Sequence, residues 1–167
     1  MLEIETMRLV MREFQDEDIP ALYQLFSDAE TMEYYPAPFS LPKTKEWVQR
    51  NQESYKKNGF GLGAVHLKDS KQCIGDCGLV AQVVDGEPEV EVGYHINKKY
   101  WSKGYATEAA QACAEYGFHQ LGLQRLISII DPKNTASIRV AEKNGFRKKR
   151  LLSSSTRNMP SIAEANE

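Results

Sequence analysis

"YWSKGYATEAAQACAEYGF", residues 100–118, is the most informative stretch of this sequence, because it places a glycine turn at the entrance to a long helix. The residues after Gly104 repeat at helical spacing. The inner face of this predicted helix carries mostly small side chains, among them Ala106, Ala110 and Cys113. Small side chains let a helix lie close to its neighbour, so the stretch predicts a helix packed on a sheet.

The turn before this helix has the features of an anion-binding site. The first N–H groups of a helix lack partners within it and carry a partial positive charge. Gly104 leaves room for a ligand at these groups, and Lys103 adds a cation. The pattern indicates a phosphate or pyrophosphate site, with a purely structural turn as the alternative. The chain has neither the P-loop pattern nor the glycine pattern of dinucleotide-binding folds.

The segments around this helix predict one mixed sheet. From Phe60 onward, "FGLGAVHLK", "QCIGDCGLVAQVV" and "EVEVGYHIN" read as strands joined by short turns, which favours an antiparallel meander. The strand–helix–strand unit from Glu89 to Ile130 should be parallel. A first strand, "RLVMR", precedes two helices, and a last helix closes at Asn144-Gly145. The prediction is an α/β (α+β) single domain with a mostly antiparallel central sheet flanked by helices.

Composition restricts the partners of the chain. Its 167 residues carry a formal net charge of -2, which gives no field that favours nucleic acid or an anionic membrane. No apolar run reaches the ~18 residues of a spanning helix. The three cysteines form no zinc-ligand pattern, so we expect reduced, partly buried thiols and no metal. A cytoplasmic protein is the default expectation.

Several motifs follow one another in a characteristic order. They are "EVGY", "YWSKGYATEA", "YGF", "LGLQR" and "NTASIRVAEKNGF", with a weaker "TMRLVMRE" near the start, and they cover nearly the whole chain to Phe146. In this order and spacing they resemble the GCN5-related N-acetyltransferase (GNAT) superfamily, in particular its ribosomal-protein N-terminal acetyltransferases. The resemblance implies transfer of an acetyl group from acetyl-coenzyme A to a primary amine.

The resemblance also implies where the donor binds. Its pyrophosphate would lie on the turn and helix start formed by Trp101, Ser102, Lys103, Gly104, Tyr105, Ala106 and Thr107. The strand "EVEVGYHI" would diverge from the next one and hold the thioester near Val92, Gly93 and Tyr94. Asn134 resembles the residue that contacts the cofactor and fixes its loop. Capping of the following helix is the alternative role for Asn134.

Candidate catalytic residues come from the same comparison and from strand geometry. Glu89 and Glu91 are two apart on one strand and face the same side, so either could deprotonate an amine or attract a cationic acceptor. Alternatively, both are solvated glutamates. The family offers Ser137 or a tyrosine as the general acid, with helix capping as the alternative role of Ser137. The loop "TMEYYPAPFS" would wall the acceptor side and contribute Tyr34 and Tyr35.

The chemistry of amines favours one class of acceptor. An α-amino group has a pKa near ~8, so roughly a tenth of it is neutral at pH 7. A lysine amine near ~10.4 is almost wholly protonated, a deficit of about 4 to 5 kcal/mol. A protein N-terminus therefore needs only a weak base. Small amines, including polyamines, antibiotics and amino acids, stay open.

The C-terminal segment departs from the family pattern. After "GF" the family continues with two strands, whereas here "RKKRLLSSSTRNMPSIAEANE" predicts one strand and then polar residues. We expect a domain over residues 1–152 and a polar tail over 153–167, with the last strand missing. That loss could leave a sheet edge exposed, to be covered by a partner chain, as in a homodimer, or by the tail. It also makes a non-catalytic or weakly active acetyl-coenzyme A-binding module the alternative function.

Overall fold

The computed structural model describes residues 3–151 and 161–166, which form one sheet with helices packed against it. The strands are β1 (Glu3–Glu5), β2 (Leu9–Glu13), β3 (Leu62–Leu67), β4 (Cys73–Val84), β5 (Glu87–Ile96), β6 (Arg125–Ile130), β7 (Arg147–Leu151) and β8 (Ser161–Asn166). The α-helices are α1 (Ile19–Phe26), α2 (Leu41–Asn58), α3 (Tyr105–His119) and α4 (Thr135–Lys143).

The sheet has the predicted mixed topology. Its strand order is β1-β2-β3-β4-β5-β6-β8-β7, and every neighbouring pair is antiparallel except β5 with β6. The β4–β5 hairpin turns at Asp85 and Gly86, whose φ angles of 51° and 83° suit the twist of a two-residue hairpin. The expected α/β domain, mostly antiparallel with one parallel pair, is confirmed.

Side chains on the two sides of the sheet enter two separate cores. On one side α3 buries Ala109, Ala110 and Cys113, and these small residues let the helix approach the strands as predicted. On the other side α1 and α2 bury a cluster around Phe26 and Val48. Burying each large apolar side chain stabilises the fold by roughly 1.5 to 3 kcal/mol, so both helical layers are firmly held.

The expectation that the last strand is missing is wrong. β8 inserts between β6 and β7 and pairs antiparallel with both, with Glu164 opposite Ile127 on one side and Arg147 on the other. The segment looks polar in sequence, but Ala165 is buried, and Arg125 lies 3.5 Å from the Glu164 carboxylate. Pairing with strands on both sides therefore makes residues 161–166 a strand, although their side chains do not predict one.

This strand changes the interpretation of the C-terminal segment. Residues 161–166 of the predicted tail belong to the sheet, and residues 153–160 lie outside the described part of the chain. The premise of the non-catalytic alternative is thus removed. The homodimer remains a prediction, but the edge of β6 whose exposure suggested it is paired with β8.

Two further features bear on the expectations from composition. Cys77 and Cys113 are buried free thiols and Cys73 is a partly buried one, as predicted. None of the described helices combines the length and the apolar composition needed to cross a bilayer.

Candidate active site

A cleft opens where β5 and β6 diverge. Among the described residues, β5 pairs with β4 from Glu87 to Ile96, but its parallel pairing with β6 registers at one position, Glu91 with Ile127. A cavity of about 580 Å³ lies at this divergence. Its walls come from β3 to β6, from α2, from the start of α4 and from the loop between α1 and α2. The cleft therefore brings together segments that are far apart in the sequence.

Many of the predicted site residues line this one cavity. From the predicted donor side they are Val92, Gly93, Tyr94 and Asn134. From the predicted acceptor side they are Tyr34 and Tyr35, and from the catalytic candidates they are Glu91 and Ser137. The structure thus places these residues around a common space.

Glu91 is held at the point of divergence by two hydrogen bonds. The Gln82 side-chain amide donates to its Oε2 at 2.7 Å, and the Ile129 N–H donates to its Oε1 at 3.3 Å. Burial raises the pKa of this carboxyl group, while the two hydrogen bonds and the nearby His95 oppose the rise. The Glu91 carboxylate therefore faces the cavity with both oxygens engaged.

Glu89 does not reach the cavity. Its carboxylate pairs with the Arg125 guanidinium at the start of β6, and it is absent from the cavity walls. Of the two strand glutamates, the structure brings Glu91 alone to the cleft.

The start of α4 positions the residues predicted from "NTASIRV". Asn134 Oδ1 accepts the Ser137 N–H at 3.1 Å and so caps the helix. The Tyr94 hydroxyl donates to the Ser137 carbonyl at 2.9 Å, which ties β5 to α4 across the cavity. Burial raises the pKa of Tyr94, so the phenol stays protonated at neutral pH. The capping role of Asn134 is present, and it fixes Ser137 in the cavity wall.

The predicted anion-binding turn precedes α3. Gly104 is the N-cap of α3 with a φ of 81°, a left-handed conformation that favours glycine. Ser102 also has a positive φ, of 60°. The Trp101 indole N–H donates to the Ile96 carbonyl at 2.6 Å, which fixes the ring while 42% of the residue stays exposed. The turn thus presents the free N–H groups of a 15-residue helix at an accessible surface.

Residues 8–147 match the family model described as the acetyltransferase (GNAT) domain. The chain belongs to this family. It is 38% identical to an uncharacterized N-acetyltransferase of Bacillus subtilis, YnaD, over 148 residues, which cover 88% of this chain and 84% of that protein.

Two further comparisons agree with this assignment. The chain is 28% identical to the spermidine N(1)-acetyltransferase of Escherichia coli over 143 residues, 81% of this chain and 71% of that protein. The crystal structure of a GNAT acetyltransferase from Bacillus anthracis has a TM-score of 0.85 and 30% identity, and the match covers 99% and 98% of the two chains. The chain is an acetyltransferase with the GNAT fold.

Sequence reasoning missed the residues that hold the turn of this acetyltransferase in place. The Arg8 guanidinium donates to the Lys103 carbonyl at 2.9 Å and lies 4.4 Å from the centre of the Tyr105 ring. Glu108 on α3 accepts from Arg8 Nε at 2.6 Å and from the Thr6 hydroxyl at 2.6 Å. The signal was "TMRLVMRE", which belongs to the family pattern but does not show which of its residues contact the turn.

Sequence reasoning also assigned no role to His95. In the structure His95 lines the cavity, and its Nδ1 lies 2.7 Å from Oδ1 of the buried Asp76. Its Nε2 lies 2.5 Å from the Tyr35 hydroxyl. Counting equally along both strands from the Asp85-Gly86 turn places Asp76 opposite His95, so the hairpin signal could have found the pair.

Proposed function

We propose that this acetyltransferase moves the acetyl group of acetyl-coenzyme A to a primary amine, with the N-terminal α-amine of a polypeptide as its acceptor. The observation that carries the proposal is the divergence of β5 from β6, together with the glycine turn that begins α3 a few residues after β5 ends. This arrangement offers a place for a charged diphosphate at one end and a lined cavity of about 580 Å³ at the other. A long donor with a reactive group at its tip fits such a site.

The turn has the chemistry that a diphosphate requires. The first N–H groups of α3 supply hydrogen-bond donors with a partial positive charge. Gly104 adds no side chain there, and Lys103, whose amine lies 5.6 Å from the centre of the Tyr100 ring, adds a cation. Trp101, Ser102, Tyr105, Ala106 and Thr107 complete the proposed binding segment.

The β5 strand would hold the rest of the donor. Val92, Gly93 and Tyr94 line the cavity where β6 has moved away, and strand edges offer N–H and C=O groups to an extended ligand. Acetyl-coenzyme A would supply an activated acetyl group at this position. Asn134, which lines the same cavity, would contact the donor from the start of α4.

The acceptor would approach from the side walled by Tyr34 and Tyr35. The Glu91 carboxylate would attract its ammonium group, and the exposed part of Tyr35 would border the entrance. Ser137, fixed by the Asn134 cap, would give its hydroxyl proton to the departing sulfur and regain one from water. An α-amine fits this arrangement because it requires a smaller shift in protonation than a lysine amine.

A second acceptor class is favoured by one specific likeness. The spermidine N(1)-acetyltransferase of Escherichia coli shares 28% of its aligned residues with this chain. The cavity walls also contain two carboxylates on separate strands or loops, Glu91 and Asp131, which suits a ligand with more than one positive charge. A polyamine is therefore the alternative acceptor, and both candidates are primary amines.

The test is acetyl transfer by the purified chain. Acetyl-coenzyme A is mixed with a peptide that has a free N-terminus, with the same peptide blocked at its N-terminus but containing lysine, and with spermidine. Release of free thiol and mass spectrometry of the acceptor are followed together. We expect acetylation of the free N-terminus and much slower reaction of the blocked peptide. Acetylation of spermidine alone would select the polyamine, and no thiol release with any of these amines would refute the proposed function.

A further inference from the structure

A chain of hydrogen bonds leads from the protein interior to the wall of the cavity. It begins at Asp76 on β4, which is 0% exposed, and passes through His95 on β5 to the Tyr35 hydroxyl. Tyr35 is 40% exposed and lines the cavity. The chain of hydrogen bonds therefore connects a fully buried carboxylate to a group that a bound amine can touch.

Hydrogen-bond chemistry fixes the direction of this chain. Both oxygens of Asp76 face donors, since Oδ1 faces His95 Nδ1 and Oδ2 accepts the Trp47 indole N–H at 3.0 Å. A carboxylate can only accept, so the His95 proton sits on Nδ1. The Nε2 of the neutral ring is then an acceptor, and the Tyr35 hydroxyl donates to it. The oxygen of Tyr35 keeps its lone pairs for a donor in the cavity.

The surroundings of His95 favour its protonated form. Burial disfavours the imidazolium, but the charge and hydrogen bond of Asp76, with Glu91 as a further negative group, raise the pKa of His95 above its ordinary value. The rings of Phe26 and Trp47 pack edge-on against the imidazole from α1 and α2. A proton that reaches His95 is therefore stabilised.

Protonation of Glu91 would weaken hydrogen bonds that its carboxylate makes. Its two oxygens already accept hydrogen bonds from the Gln82 amide and the Ile129 N–H. Protonating either oxygen would make it a poorer acceptor and weaken the hydrogen bond that it receives. Glu91 can attract the acceptor without changing its own protonation state.

We infer that Tyr35, His95 and Asp76 form the proton relay that deprotonates the acceptor amine, an inference that rests on the proposed function. The acceptor ammonium first gives one proton to water, which leaves a neutral amine with a lone pair. As this nitrogen bonds to the acetyl carbon, one N–H proton passes to the Tyr35 oxygen and the Tyr35 proton passes to His95 Nε2. The C–S bond breaks, and sulfur leaves with the bonding electrons and is protonated by Ser137. His95 returns its proton to water after the product leaves. Asp76 balances the imidazolium charge in between.

The first test removes one oxygen from the relay. Tyr35→Phe keeps the ring that packs 5.1 Å from the His95 ring and deletes only the hydroxyl. With the amine acceptor that wild type uses, either the free-N-terminus peptide or spermidine, we expect kcat to fall about 100-fold, the scale of general-base catalysis. Tyr23→Phe is the matched control, since Tyr23 is 36% exposed and does not line the cavity. It should keep wild-type kcat.

The second test measures how the ionisation of His95 depends on pH, and part of it requires no acetyl transfer. The His95 ring is titrated by NMR in the chain without donor or acceptor, and its pKa should lie above the ordinary value of about 6.5. In Asp76→Asn this pKa should fall, because the charge that stabilises the imidazolium is gone. The limb of the kcat–pH profile that rises with pH should shift by the same amount between wild type and Asp76→Asn, since the relay works only when His95 is neutral.

The outcomes separate this inference from the proposed function. An active wild type whose Tyr35→Phe variant keeps full kcat and an unchanged pH profile overturns the relay and leaves the acetyltransferase reaction standing. The relay is also overturned, and the acetyltransferase reaction left standing, if the NMR pKa of His95 moves in Asp76→Asn while the rising limb of the kcat–pH profile stays where it is in wild type. A wild type that acetylates none of the amines overturns both. If Asp76→Asn does not fold, Tyr35→Phe decides alone.

Discussion

Replacing Gly104 by alanine tests whether the α3 turn binds the donor. At a φ of 81°, alanine is strained by about 1 to 2 kcal/mol in the left-handed conformation. The added Cβ would lie 3.4 Å from Arg8 Nη2, the end of a flexible side chain, so steric overlap adds little. If the unliganded variant relaxes and must regain this conformation to bind the diphosphate, the same energy is lost from binding. The dissociation constant for coenzyme A should then rise roughly 5- to 30-fold.

Gly59→Ala provides the matched control for this variant. Gly59 ends α2 with a φ of 80°, and an added Cβ there meets nothing within 4 Å. Gly59→Ala should lose stability, with a melting temperature lower by about 2 to 4 °C for each kcal/mol, whereas Gly104→Ala should lose less because its turn relaxes when no ligand is bound. Calorimetric titration with coenzyme A should show weaker binding in Gly104→Ala and wild-type binding in Gly59→Ala. Equal dissociation constants for the two would refute a diphosphate at this turn.

Three further substitutions test the supports of the site. A Cβ on Gly75 would lie 2.0 Å from the His95 carbonyl oxygen, so Gly75→Ala should push β4 from β5 and destabilise the fold by roughly 1 to 3 kcal/mol in urea unfolding. Gly93→Ala, with its nearest contact at 3.4 Å, should change stability little, and equal losses would contradict this reasoning. Burial opposes ionisation of Glu108, but hydrogen bonds from Thr6 and Arg8 outweigh it and lower its pKa. The stability that the ionised carboxylate contributes is therefore present above about pH 4.3 and is lost as pH falls through its pKa in the folded protein. Glu108→Gln should therefore be less stable than wild type at pH 7 by about 1 kcal/mol and less sensitive to acid; parallel pH–stability curves for the two proteins would contradict the assignment.

Local patterns were sufficient to predict the parts of the fold that depend on neighbouring residues. Alternation of apolar side chains identified the β3–β5 meander, and small residues at helical spacing identified α3 against the sheet. The turn at Gly104 was predictable because a glycine directly before a helix is typical of a left-handed residue or of a close approach to the backbone. The resemblance to a family then located the cavity wall on β5 and α4.

Features that depend on distant contacts were not predicted. β8 has few large apolar residues, and it is a strand because β6 and β7 pair with it on both sides. Arg8 is separated from Lys103 by most of the chain, and its role follows only from the β2–α3 packing. Asp76 and His95 meet through the register of the β4–β5 hairpin, which follows from the position of its turn and not from the propensity of either residue. For β8 and Arg8, tertiary structure rather than local preference creates the relevant contacts.

A crystal structure of the chain with coenzyme A bound would show whether the α3 turn and the gap between β5 and β6 hold the donor. We expect the diphosphate oxygens to accept hydrogen bonds from the main-chain N–H groups of Gly104, Tyr105 and Ala106, with the pantetheine arm between β5 and β6 and its sulfur in the cavity beside Glu91. Coenzyme A bound at another surface, with the gap between these two strands unoccupied, would contradict this expectation.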